Sequence, residues 1–566
     1  MVLIFLSWIY ITFTTINLGF VTNKIFNLKK SNFLITSILG LFFTTLLASI
    51  FAVFYRINSE FHVFLFLINC LSFYKFKNEI LNLYKQLISE LKNLQFPLKI
   101  IISLIAFLIL AQCATKPYVI DNESYYIQSI KWINEFGFVK GLANLHIFFG
   151  QNSGWHIVQS AFNFSFLYEN LNDLSGFCLL LGNLFALLKL NEFFKNNDKN
   201  HLLIGLFPLG NLFFFQFISA PSPDIPVYVF TLILFYYFIK YYKNATIEIF
   251  NLMTILVLFI LYCKPTSTVL IVLPLVLLVL NFNKIAPKIV PISLLSFGVL
   301  LLFVIKNTVV SGFPLFPMTT FGFSNLDFAV PENVLTFYLN EIKATGFYIS
   351  SPEFENSSTF QLLYKWLFSS KIDGIINIIS ITIFCISPLF IYKNFNKKSV
   401  WILYFTILLQ MFLLFLSSPQ YRFFIHLTLF LGLIMVLNLF SNKKIIFISN
   451  AISIVIIAFL LFIPINFNKL TSNKLLATNN TFSIKNSLIP ASNSKFENKY
   501  QLLKIGNLNY NSPINHPFFW GNGTGNLPCV NEKQINYFQN SFHVIPQLRS
   551  TELKDGFYAK KSPTNE

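Results

Sequence analysis

The chain has 566 residues, 55% of them hydrophobic and only 11% charged, with a formal net charge of +18. A soluble protein of this size carries roughly a quarter charged residues to wet its surface, so an ordinary soluble globular domain is excluded and lipid is the solvent that fits. The lysines sit in short clusters between apolar runs, with no basic face elsewhere, which excludes nucleic acid as a partner and follows the positive-inside pattern instead.

A helical span needs about 20 apolar residues to cross roughly 30 Å of hydrocarbon. By that measure the sequence predicts an all-α polytopic membrane protein of about fourteen transmembrane helices. The first seven runs lie near 2–20, 33–55, 60–76, 98–115, 174–190, 201–219 and 225–241. The rest lie near 249–263, 266–281, 288–306, 376–392, 400–416, 421–440 and 445–464. The chain opens on an apolar run with no basic n-region and no A-x-A cleavage site, so a first span is expected and not a removable signal. Clusters at Lys24, Lys29 and Lys30, at Lys75 to Lys99, and at Lys195 and Lys199 fall at alternate connections. Lys240 and Lys243, Lys284 and Lys288, Lys393 to Lys398, and Lys443 and Lys444 continue the series. Placing them all in the cytoplasm leaves the N-terminus and the C-terminal tail outside.

This divides the chain into N-terminal transmembrane helices (1–115), a first outer loop with helices (116–173) and a central bundle (174–306). A second outer loop (307–375), C-terminal transmembrane helices (376–465) and an exported polar tail (466–566) follow. Trp132 and Phe136 recur at helical spacing in the first outer loop. Residues 77–97 interleave lysines and carboxylates with Ile and Leu, as an amphipathic helix lying on the cytoplasmic surface would. The later tail, with Phe518, Phe519 and Trp520, is expected to fold as a small module. No Cys spacing suggests zinc, and no phosphate-binding loop, HExxH or GxSxG element is present.

The polar motifs fall on the outer face. Asp121 and Glu123 follow the fourth run, and Asp224 ends the turn Pro221-Ser222-Pro223-Asp224. Lys264 opens Lys-Pro-Thr-Ser, and Arg422 closes Ser417-Ser418-Pro419-Gln420-Tyr421-Arg422. Asp121 and Asp224 can each serve as a helix N-cap. A carboxylate held at the mouth of a cavity equally suits a general base, with Asp121 and Glu123 as catalytic candidates, or a divalent-metal site, with Asp121 and Asp224 as ligands. Lys264 and Arg422 can snorkel to headgroups, or hold the phosphate of a lipid-linked substrate. Asn144, His146 and Trp155 are polar or aromatic groups suited to sugar hydroxyls and ring faces.

These motifs resemble the GT-C class of integral membrane glycosyltransferases, which use polyprenyl-phosphate-linked sugars. The resemblance rests on the many-span layout over roughly residues 1–465, on Asp121-Asn122-Glu123 at the head of the first large outer loop, and on Asp224. The Pro419-Gln420-Tyr421-Arg422-Phe423 turn also fits. It is closest to uncharacterised bacterial multi-pass proteins carrying segments like Asp121 to Tyr126, Trp132, Gly141 to His146 and Ser311 to Pro317. The chain departs from the class in span count and in the placement of its second carboxylate at Glu123. Three extra spans at the start would reconcile the count.

The resemblance implies a protein of the bacterial inner membrane that transfers sugar from a polyprenyl-phosphate donor to a glycan, lipid or protein acceptor at the outer leaflet. Asp121 would take the acceptor proton or bind a divalent ion such as Mg or Mn, and Lys264 and Arg422 would hold the lipid phosphate. A flippase or transporter of lipid-linked saccharides would instead predict charge within the spans and paired repeats. A polymerase would share the substrate class, and a non-catalytic scaffold would tolerate loss of the outer charges.

Overall fold

The computed structural model describes residues 1–28, 32–323, 325–395 and 397–561. Lys29 and Lys30 lie outside the described residues. The chain opens with α1 (Val2–Ile25), α2 (Phe33–Phe54), α3 (Ser59–Lys92) and α4 (Phe96–Cys113), and the segment 116–173, the expected first outer loop, carries α5 (Ile127–Phe136) and α6 (Gly154–Phe162). Then come α7 (Leu174–Asn196), α8 (Lys199–Gly205), α9 (Asn211–Phe214), α10 (Asp224–Tyr241) and α11 (Ile247–Cys263). The central region ends with α12 (Val272–Leu280), α13 (Phe282–Ile285) and α14 (Val290–Ser311). The segment 307–375, the expected second outer loop, holds α15 (Glu332–Gly346), α16 (Ser351–Glu355) and α17 (Thr359–Leu367). The membrane region closes with α18 (Lys371–Asn394), α19 (Lys398–Ser417), α20 (Tyr421–Val436) and α21 (Lys443–Phe462).

The protein is a mostly helical, polytopic membrane protein. Among the described residues nine helices are long and apolar enough to cross a membrane: α1, α2, α4, α7, α10, α14, α18, α19 and α21. Pro265–Leu280 and Phe282–Lys288 pass only as a pair bent by 90°, and α11 and α20 are apolar but shorter. The expected run at 60–76 is the first half of the 34-residue α3, which leaves helical geometry at Phe76 and continues through the lysine-rich segment. The run at 201–219 is divided into α8, α9 and 3-10 turns at Phe207–Gly210 and Phe215–Phe217. Pro208 supplies no backbone donor there, and Gly205 and Gly210 weaken a continuous helix.

The all-α expectation needs one correction, in the tail. Strands β1 (Tyr500–Ile505) and β2 (Leu508–Pro513) pair antiparallel, closing at Ile505↔Leu508 over Gly506 at φ +57°. Helix α22 (Glu532–Phe542) follows, and β3 (Val544–Leu548) pairs with β4 (Phe557–Lys561). Outside lipid, short strands leave their outer edges to water, so small hairpins are permitted where a spanning segment would need every backbone group paired.

Inside the bundle, small residues decide how closely helices approach, because lipid gives no hydrophobic drive for helices to associate. Helices α1 and α2 touch backbone to backbone: a Cβ on Gly19 would run into the Thr36 carbonyl, and one on Gly40 into the Thr15 carbonyl. The seam is finished by Asn23 Nδ2 donating to Thr36 Oγ1 at 2.9 Å. Gly298 on α14 has nothing within 4 Å of an added Cβ. Gly40→Val is therefore expected to exceed the ~1–3 kcal/mol of ordinary overpacking, because backbone cannot yield as a side chain can. Thermal unfolding of the detergent-solubilised protein should show a clear loss for Gly40→Val and essentially none for Gly298→Ala.

Candidate functional site

Four charged side chains from four separated segments meet at the N-terminal ends of α10 and α20 and the C-terminal end of α11. Asp224 is the first residue of α10 and follows two prolines that fix the preceding turn. Lys264 ends α11 in extended geometry (φ −149°, ψ 94°), because Pro265 disfavours a helical residue before it. That turn directs Nζ onto Asp224 Oδ1, forming an ion pair in which Asp224 is only 2% exposed. Ser222 Oγ lies 3.4 Å from the other Asp224 oxygen.

Arg422 stands in the first turn of α20, just after Pro419. Its Nη1 pairs with Asp121 Oδ2 at 2.6 Å, and its Nε donates to Gln420 Oε1 at 2.9 Å. The turn itself is pinned by Trp366 Nε1 donating to the Pro419 carbonyl at 2.7 Å. Tyr228 Oη donates to the Arg422 carbonyl at 2.5 Å, tying α20 to α10. Between the two pairs stands Phe423, with Lys264 Nζ 3.8 Å and Arg422 Cζ 5.0 Å from its ring centroid. The ring lies within cation–π distance of both cations.

Two acids and two bases make the group neutral. Such a quartet is stable when closed, yet an entering anion can take either cation and free its carboxylate. Arg422 and Asp121 are each about one-fifth exposed, so this pair is the reachable one. Asp121 and Asp224, the two expected metal ligands, each pair with a side-chain cation, Arg422 and Lys264 respectively. Among the described residues no group of three or more His, Cys, Asp or Glu gathers to bind an ion.

The other expected site residues go elsewhere. Glu123 is fully buried and faces the tail, where Ser494 Oγ donates to Oε2 at 2.6 Å and the Lys495 amide to Oε1 at 2.7 Å. Its own carbonyl accepts the Asn522 and Gly523 amides at 2.8 and 3.0 Å. Burial raises the Glu123 carboxyl above its usual range, the hydrogen bonds pulling back, and burial lowers the Lys495 ammonium to about 8. Asn144 spends its amide on the Gly141 and Phe328 carbonyls, at 3.2 and 2.8 Å. Trp155 is core, its Nε1 donating to Ser175 Oγ at 3.2 Å. His146 lies at the seam with the tail, its Nδ1 accepting from the Phe148 amide at 3.1 Å. Burial takes its pKa down to about 3, so it stays neutral.

Sequence reasoning missed two groups near the quartet. His426 lies one turn beyond Arg422 on α20, buried, its ring 5.1 Å from that of Tyr228. The i, i+4 spacing from Arg422 was the available signal. Lys306 is 2% exposed near the end of α14 and donates to the Asn152 carbonyl. It sits over the Tyr262 and Phe303 rings, at 5.2 and 5.0 Å, with no carboxylate partner among the described residues. In the sequence it stands at the very end of the apolar run 288–306.

Glu123 thus latches the tail to the first outer loop. Glu123→Ala is expected to remove charge-assisted hydrogen bonds of about 1.5–3 kcal/mol each. Limited proteolysis should then cut residues 490–530 much faster than in the wild type, while Glu123→Gln, which keeps an acceptor, falls between.

No curated protein and no solved structure matches this chain. A family described as a domain of unknown function, DUF8201, matches residues 1–429. The matched stretch contains Asp121, Asp224, Lys264 and Arg422, stops within α20, and leaves the tail outside. With three-quarters of its length inside that match, the chain is a member of the DUF8201 family.

Proposed function

We propose that this protein is a GT-C-like glycosyltransferase of a bacterial inner membrane. It would transfer a sugar from a polyprenyl-phosphate donor to a surface glycan, lipid or protein acceptor at the outer leaflet. The observation that carries the reading is the convergence of Lys264 and Arg422 on the ring of Phe423, each held by a carboxylate. A lipid-linked phosphate supplies the anion that such a pair of cations attracts, Arg422 offering a fork and Lys264 a point charge.

In this mechanism the donor phosphate displaces Asp121 from Arg422. The freed carboxylate takes the proton of the acceptor hydroxyl as its oxygen bonds to the anomeric carbon. The bond from that carbon to the phosphate oxygen breaks, and the electron pair leaves with the polyprenyl phosphate. Lys264 and Arg422 stabilise the charge that grows on the leaving group, where fixed cations contribute most. The topology that goes with this reading has fourteen passes. The shorter α11 and α20, the bent pair, the first half of α3 and the broken 201–219 segment complete the count. The quartet and the tail then share the outer side.

The test is in cells, with Asp121→Asn, Asp224→Asn and Arg422→Ala each compared with wild type for protein level and surface-glycan profile. At normal protein level, each is expected to reduce one glycan species by about 10²-fold or more. Normal level with an unchanged profile in all three would sink the catalytic assignment and leave a transporter or scaffold.

A further inference from the structure

The tail packs on the first outer loop through a seam of rings. Tyr125, whose neighbour Asp121 lies four residues before it in the quartet, stacks on Phe148 at 5.6 Å and 20°. Phe148 meets Trp520 of the tail at 5.0 Å, and Trp520 meets His146 at 5.9 Å. Phe148 and Trp520 are both half-buried. The ring series continues through Phe519, 4.8 Å from Trp520, to the exposed Tyr537 at 5.8 Å.

Beside this series, at the same seam, lies a cavity of about 30 Å³ between the first outer loop, Val330–Val334 and the tail. That is room for roughly two water-sized groups. Its polar lining is Asn144, His146 and Gln534, and no Asp, Glu, Lys or Arg contributes to it. Two of these leave a buried oxygen without a partner, Asn144 Oδ1 and Gln534 Oε1. Gln534 is 1% exposed, with its amide nitrogen fixed by the Phe519 carbonyl at 3.1 Å, so its oxygen cannot turn away. Because His146 Nδ1 accepts from Phe148, the proton of the neutral ring sits on Nε2.

We infer that this seam is a binding subsite for a neutral saccharide, the acceptor chain of the proposed transfer. Buried carbonyl oxygens without donors cost free energy until a donor arrives, and hydroxyl groups are donors. The lack of charge in the lining disfavours a phosphate or an acidic group. Partly exposed aromatic rings next to neutral amides suit the apolar face of a pyranose beside its hydroxyls. The cavity admits a hydroxyl-bearing arm, and the ring rests on Trp520 and Phe148. The ring series continues inward through the buried Tyr125, four residues after Asp121. Trp520 and Gln534 come from the part of the chain outside the family match, so the tail supplies acceptor choice to a shared membrane domain.

The role as acceptor rests on the transferase reading, whereas saccharide binding does not. Full-length protein in detergent micelles is applied to an array of neutral oligosaccharides, as wild type, Trp520→Ala, Gln534→Met and Asp121→Asn. Wild type and Asp121→Asn are expected to bind a common set of glycans, with affinity about tenfold weaker in Gln534→Met and weaker still in Trp520→Ala. Gln534→Met keeps the side-chain volume, and an unchanged proteolysis pattern shows that the tail remains docked. No binding by wild type, or binding unaffected by both seam variants, would overturn the inference and leave a hydrated packing gap. Binding that is lost in the seam variants while Asp121→Asn cells keep a normal glycan profile would uphold the subsite and discard the transferase.

Discussion

Lipid offers the backbone no hydrogen-bond partner, and every other feature of this protein is arranged around that constraint. Within the bundle the chain satisfies itself as helices, and three stretches depart from helical geometry. The broken stretch 201–219 and the proline turn before α20 are covered by other protein, whereas the 3-10 turn at Pro265–Ile271 leaves Pro265, Thr266, Thr268 and Ile271 exposed. Two of these three breaks form the walls of the ion quartet. A lysine that ended an unbroken helix would point along the helix surface, whereas the extended residue before Pro265 turns Lys264 sideways into Asp224. Proline placement and ion pairing are therefore one device.

The quartet joins segments far apart in the chain, since Asp121 and Arg422 are 301 residues apart and Asp224 and Lys264 are 40 apart. Breaking either pair leaves a charge without its partner in a poorly solvated place, which costs more than the pair itself contributes. An anionic ligand can take over the pairing of a cation, and the carboxylate it frees must then be solvated, protonated or paired anew. The same reasoning makes Lys306 notable, because it accepts burial with only the Asn152 carbonyl and two aromatic faces as compensation. It braces the loop before α6 against the end of α11, immediately behind Lys264.

The tail adds a second layer on the same side. It is held by main-chain contacts to Glu123, by Gln128 donating to the Gly523 and Gly525 carbonyls, and by the Phe557 amide donating to the Lys140 carbonyl. Gly556 at φ +95° lies directly against Lys140, a close approach only glycine permits. Such contacts at both ends of the module orient it on the first outer loop, so that Trp520 sits against His146 and Phe148.

What the sequence determined by itself was the solvent and the ends of elements. Apolar run length and lysine clusters identified a multi-pass helical protein, and the prolines beside Asp224, Lys264 and Arg422 marked the turns that hold the site. Those signals are local, so one sequence carries them. Partners are not local. Nothing in the spacing of Asp121 and Glu123, two residues apart, reveals that one meets Arg422 and the other the tail; a π-helical turn over Asn122–Tyr126 sets their directions. The tail's hairpins were equally hidden, because short polar strands have too few residues to show a period. Nor could run length tell a straight span from the broken 201–219 segment, since apolarity measures burial and burial is shared by lipid-facing helix and protein-covered turn. Only the tertiary structure decided which charges meet, because ion pairing depends on distance in space and the folded bundle alone supplies that distance.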